Sequence, residues 1–306
     1  MNEFVAIVVA TIAAGTPLVF AALGELVVER SGVLNLGIEV MMLAGALAGF
    51  AATAATNNPW IGAGAGMAAG AALALLFALL TISLMANQVA SGLALSIFGG
   101  GLTAFLGKPY ESVSLSAPAA VHVPGLSALP VLGPILFAEQ PLVYLSWSLF
   151  ALVCWFLYRS RAGLVVRAVG ESPTSAYAIG YHVTLIRYLA TLFGGAMAGL
   201  GGAYLSTVYT PSWAQDMTAG RGWIALALVV FATWKPERAL LGAYLFGGVT
   251  IVQFFAQGAG LSVPTQLLTA LPYLATIVVL VLISRDATTI RLNAPASLGL
   301  AFHADA

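Results

Sequence analysis

The sequence predicts an all-α, polytopic membrane bundle of about eight to ten membrane segments, some of them broken. Three observations carry this. Of 306 residues, 60% are hydrophobic and 7% are charged, with a mean hydropathy of +0.99; soluble domains carry about 25% charged residues. Apolar runs of roughly 20 residues, the length that crosses a hydrocarbon core, recur along the chain. Positive charge gathers in one place: Arg159, Arg161, Arg167 and Arg187 share a loop bordered by apolar runs. Lys and Arg collect in cytoplasmic loops, so this loop orients the chain.

The first apolar run is Phe4–Leu23, with Pro17 as an expected kink. Its start carries Glu3 and no Lys or Arg, so it reads as a retained span rather than a cleaved signal. GELVVERS at 24–31 reads as a polar break and Val33–Ala55 as the second span, interrupted near its start by Asn35 and Glu39. Asn57-Asn58-Pro59 is a turn signal. Ile61–Met85 and Val89–Leu106 follow, the latter entered through Asn87 and Gln88. Residues 108–140 hold five prolines and no helical period, and are expected as an external loop. Pro141–Tyr158 returns to the basic loop and Tyr188–Tyr209 leaves it. Ala239–Phe255 and Leu267–Ser284 complete the set.

Trp223–Trp234 is too short for a full helical span. If it turned back, Lys235, Arg238, Arg285 and Arg291 would lie outside; if it crosses, all four join the basic loop inside. The positive-inside rule favours crossing, and a crossing this short needs non-helical backbone shielded by protein. Counting back from the basic loop places the N-terminus outside and the C-terminus inside, with the break at 24–31 taken as a loop.

Within the basic loop, Ser172 suits a helix N-cap, Pro173 the first helical position and Gly180 the position after the helix. A short helix over about 173–179, exposing Tyr177 and Ile179, is either a plain connector or a docking element; its caps and apolar residues favour docking. Glycines four apart, Gly45/Gly49, Gly62/Gly66/Gly70 and Gly195/Gly199, permit close helix approach, as in any polytopic bundle.

No phosphate-binding loop, zinc-protease or nucleophile-elbow motif occurs, and His122, His182 and His303 are scattered. The lone Cys154 forms no internal disulfide. Zero net charge argues against a nucleic-acid partner. The chain is not expected to be an enzyme or to need a cofactor or metal. Polar groups inside apolar runs are costly and line wet paths or bind neighbouring helices. Asn35 and Glu39, spaced to share a helix face, are candidates for a solute path, as are Asn87 and Ser91. So are Trp213 and Trp223, beside Asp216 and Arg221 in a broken segment, although aromatics there also suit an interfacial belt. An ion-coupled secondary transporter stays open, with Glu39 as its titrating group.

Four segments carry a resemblance: ERSGVLNLGIEVMMLAGALAGF at 29–50, NQVASGLALSIFGGGLTAFLG at 87–107, RAVGESPTSAYAIGYHVTLIRYLATLFGGAMAGLGGAYLS at 167–206 and TAGRGWIALALVVFATWKPERALLGAYLFGG at 218–248. The chain resembles the membrane permeases of ABC-type importers in the branched-chain amino acid and simple-sugar group, nearest their nucleoside-type branch. The resemblance implies a single permease domain over 1–306 in a bacterial inner membrane, carrying a nucleoside or else a ribose-like sugar. It also implies a homologous second permease, a cytoplasmic ATPase and an extracytoplasmic solute-binding protein as partners. It places the ATPase-coupling segment at Arg167, Glu171, Ser172, Pro173, Tyr177 and Gly180. One departure is Val40, where the family pattern has glycine.

Overall fold

The computed structural model describes residues 3–258 and 293–303, with a few positions between 270 and 281. Among the described residues seven helices are long and apolar enough to cross a membrane. They are α1 (Glu3–Arg30), α2 (Ile38–Thr56), α3 (Pro59–Ala78, prolonged by a π-turn to Ser83), α4 (Gln88–Gly107), α6 (Pro141–Arg159), α9 (Val183–Tyr204) and α11 (Pro236–Gly258), with a five-residue α5 (Leu132–Leu136) before α6. Two helices at the basic end, α7 (Arg161–Glu171) and α8 (Pro173–Ala178), precede α9 (Val183–Tyr204), which also ends in a π-turn, Leu205–Tyr209. The short α10 (Arg221–Phe231) and the long α11 (Pro236–Gly258) follow. The expected span Leu267–Ser284 lies outside the described residues apart from isolated positions.

Local signals account for most boundaries. Asn57 ends α2 in the left-handed region, φ 52°, and Asn58 caps α3 by accepting from the Trp60 N–H, with Pro59 at the first helical position. Asn87 caps α4 through the Ala90 N–H. Ser172 caps α8 through the Ser175 N–H, and Gly180 follows that helix at φ +95°. Ser160 caps α7, a helix that sequence periodicity did not single out. The 108–140 loop also holds more order than expected, namely a 3₁₀ turn at 108–110 and α5.

The polar break expected at 24–31 does not exist. α1 runs through it to Arg30, and Glu25 and Glu29 are fully buried. Each carboxylate has a partner: Glu25 accepts from the backbone and side-chain amides of Asn35, and Glu29 from the Trp234 indole. A paired carboxylate stays inside a helix where an unpaired one would force it into water. The true interruption is Ser31–Gly37, non-helical backbone that precedes α2.

The glycine pairs converge on one seam between α2, α3 and α9. A Cβ on Gly66 would lie 2.6 Å from the Ala203 Cβ and 2.9 Å from the carbonyl oxygens of Gly45 and Gly199. Backbone meets backbone there, which only glycine permits. Gly66→Val is expected to cost about 1–3 kcal/mol by overpacking. The check is thermal unfolding of the detergent-solubilised protein, where an unchanged midpoint would contradict the seam.

Helix pairing also resolves the short segment. Trp234, beyond the end of α10, meets Glu29 and offers its carbonyl to Arg30 at the basic end. Gly222, at the start of α10, lies against Glu39 of α2. Residues 210–220 therefore descend from the opposite end as irregular chain, and α10 completes the crossing.

Candidate functional site

Two helices begin inside the bundle, α2 at Ile38 and α10 at Arg221, and Glu39 joins them. Its Oε1 accepts from the Thr218 hydroxyl at 2.6 Å and the Gly220 N–H at 2.9 Å, and its Oε2 from the Gly222 N–H at 2.7 Å. The first N–H groups of a helix have no partner within it and carry partial positive charge. Glu39, from another helix, satisfies two of them at the start of α10, at Gly220 and Gly222. Gly222 is required here because a Cβ would strike the Glu39 backbone, at 2.5 Å from its Cα.

Beside this junction is a cavity of about 520 Å³ between α2, α4 and the start of α10. Its polar lining is Glu39, Asp216, Ser96 and the Gly220 backbone; Val40, Leu43, Leu93 and Ile97 form an apolar wall. The Trp223 indole closes one side and is 46% exposed. Val40 fills the space that a side chain on Gly99 of α4 would need. The larger residue at position 40 is thus met by a glycine opposite, and the cavity stays open. Among the described residues two carboxylates and no cation line this space. The nearby Arg221 guanidinium instead donates to the carbonyls of Met217 and Thr218, each at 3.2 Å.

Of the six residues expected on a solute path, Glu39 and Trp223 line this cavity. Asn35 is not on a helix and shares no face with Glu39. It is fully buried, donating to Glu25 and accepting from the Gly37 N–H. Asn87 is an exposed cap at the basic end, and Ser91 lines a shallow hollow with Leu76, Leu80 and Phe98. Trp213 is 2% exposed, packed with Leu43, Leu47 and Phe50 against Gly107. Ser96 and Gly100 also line the cavity and were not singled out in the sequence. The i, i+4 pattern of small residues Gly92, Ser96 and Gly100 on α4 was the available signal.

The basic end is knitted by residues 293–303. The buried Arg187 guanidinium donates to the Ser31 carbonyl at 3.2 Å, the Leu300 carbonyl at 3.0 Å and the Ser297 hydroxyl at 3.1 Å. Ser297 donates its N–H and hydroxyl to the Gly170 carbonyl at the end of α7. The Gly299 N–H reaches the Gly32 carbonyl, and Phe302 meets Tyr177 edge-on at 5.7 Å. The tail thereby ties α7 and α8 to the Ser31–Gly37 link that leads to Glu39. On α8 and just past it, Tyr177 and Ile179 stay open, at 48% and 73% exposure. Among the described residues the buried Arg167 Nε has no partner; Glu171 ends α7, Pro173 opens α8 and Gly180 follows it.

A multi-pass helical bundle with two interrupted segments meeting at a polar cavity is the architecture of a solute permease. The chain belongs to the branched-chain amino acid transport system / permease component family, whose model matches residues 7–283. It is 43% identical over 311 residues, covering 94% of each chain, to the putative glucose ABC transporter permease protein TsgC13 of Haloferax volcanii. It is 33% identical over 288 residues, 90% of each chain, to the guanosine ABC transporter permease protein NupQ of Bacillus subtilis. The nucleoside ABC transporter permease protein NupC of Lactococcus lactis is 32% identical over 280 residues, covering 87% of this chain and 88% of that one.

Proposed function

We propose that this chain is the membrane-spanning permease subunit of an ATP-driven importer and carries a neutral polar solute, a nucleoside in the first instance. The observation that supports this most is the lining of the Glu39–Trp223 cavity. A zwitterionic amino acid needs a cation or free helix N–H groups for its carboxylate. Here Glu39 already takes the Gly220 and Gly222 N–H groups at the start of α10, and the Arg221 guanidinium is turned onto carbonyls. A base would stack on the Trp223 indole while ribose hydroxyls donate to Asp216 and Ser96. The guanosine and nucleoside permeases among the relatives agree with this. A hexose is the second reading, favoured by the glucose permease at 43% identity, since a pyranose also lies on an indole.

In this reading the basic end faces the cytoplasm, with the C-terminal segment on that side. ATPase subunits dock on α8 around Tyr177 and Ile179, a homologous permease completes the path, and an external binding protein delivers solute. ATP binding presses on α8, and the tail bonds carry the displacement through Gly170 and Gly32 to the junction at Glu39. The bundle then opens alternately to either side.

The test is uptake of labelled guanosine and labelled glucose by cells expressing the whole transporter. Guanosine uptake is expected to depend on this gene, and Trp223→Ala to weaken it by the loss of stacking, about 1–3 kcal/mol or about 5- to 160-fold. Glucose uptake with no guanosine uptake would replace the first reading by the second. Uptake that survives loss of the ATPase would reject both.

A further inference from the structure

A second cavity, of about 490 Å³, lies away from the solute path, between α6, α7 and α9 near the basic end. Its walls are apolar, from Leu152, Trp155 and Phe156 of α6, Val165 of α7, and Leu189 and Phe193 of α9. Two arginines stand at the α6–α7 turn, on the helix faces that line it. Arg159 ends α6 on the face of Leu152, Trp155 and Phe156, at spacings of seven, four and three residues. Arg161 opens α7 four residues before Val165, on the same face. Both are exposed, and neither has a hydrogen-bond or ion-pair partner among the described residues.

We infer that this groove is a binding site for an anionic glycerophospholipid of the leaflet at the basic end. One acyl chain fills the groove and the headgroup phosphate lies between Arg159 and Arg161. The charge pattern points to this occupant. An acyl chain requires walls without polar groups, and its phosphate sits at the depth where α6 ends and α7 turns along the surface. Basic pockets between membrane helices on the cytoplasmic side hold anionic headgroups, and each arginine adds attraction that a zwitterionic lipid does not receive. The site also explains the amphipathic character of α7, whose buried Val166 and half-buried Val165 close the groove while Arg161 stays in solvent.

Trp155 is a reporter, since it lines the groove and is 58% exposed. The intact transporter complex would be placed in phosphatidylcholine nanodiscs containing increasing fractions of phosphatidylglycerol with brominated acyl chains, which quench indole fluorescence on contact. The signal is the difference between the parent and Trp155→Phe. Brominated phosphatidylglycerol is expected to quench at a lower mole fraction than brominated phosphatidylcholine. In Arg159→Gln/Arg161→Gln the half-quenching fraction should rise about five-fold per arginine removed. Arg159→Lys/Arg161→Lys should retain the preference, which separates charge from misfolding. Added inorganic phosphate should not displace the lipid, because it lacks the acyl chain. Equal quenching by the two lipids, or an unchanged preference in the glutamine variant, would reduce the site to ordinary boundary lipid and overturn the inference. No quenching of Trp155 at all would show that protein covers the groove, and would overturn it equally.

Discussion

Glu39→Ala is expected to abolish uptake and to lower the stability of the bundle by about 3 kcal/mol or more, since three donors lose a charged acceptor. The donors are the Gly220 and Gly222 N–H groups and the Thr218 hydroxyl, all on the approach to α10 or its first turn. With no partner, that turn unwinds into the cavity it borders. Glu39→Gln keeps the shape and one acceptor oxygen but sets an amide N–H₂ against donors, so an intermediate loss is expected. Thermal unfolding and solute uptake, measured on the same preparations, check this. An alanine variant that unfolds at the parent's temperature would show that the start of α10 is held by something else. A stable variant that fails only in uptake would move Glu39 from scaffold to solute contact.

The second large effect belongs to Arg187. Arg187→Ala strips a buried guanidinium from the Ser31 and Leu300 carbonyls and the Ser297 hydroxyl. Each buried acceptor left alone costs about 1–3 kcal/mol, and the three are not additive, so a loss of about 3 kcal/mol is expected. Arg187→Lys should recover little, because one ammonium does not reproduce the planar fork. The consequence reaches beyond stability. Released from Arg187, residues 297–302 no longer tie Gly170 to Gly32. In the assembled transporter, ATP hydrolysis should continue while uptake falls more than ten-fold. Limited proteolysis of the tail reads the structural half of this and the ratio of uptake to hydrolysis reads the functional half. A tail that stays protected, with uptake unchanged, would remove it from the coupling route.

What was legible in the sequence was local or set by the solvent. The α8 helix was readable because Ser172, Pro173 and Gly180 act within one turn of themselves. The crossing by α10 was readable because Lys235 and Arg238 would otherwise lie on the wrong side of the membrane. The family pattern was readable in four segments and is matched over 7–283. The lining of the candidate site was only half legible. Glu39 and Trp223 stood out as polar or amphipathic residues in broken runs, but so did Asn35 and Trp213, which are buried in the scaffold.

Sequence alone therefore determined that this chain lives in a membrane, which of its ends is basic, where its helices are capped and which family it resembles. All of these follow from composition, from neighbours a few residues apart, or from the lipid around it. The tertiary structure decided the partners of Glu25, Glu39 and Arg187. Glu25 meets Asn35 ten residues away, but Glu39 meets Gly220 across 181 residues and Arg187 meets Leu300 across 113. In a low-dielectric interior a carboxylate or guanidinium is tolerated only with a partner, and a partner that distant in the chain exists only once the helices have packed.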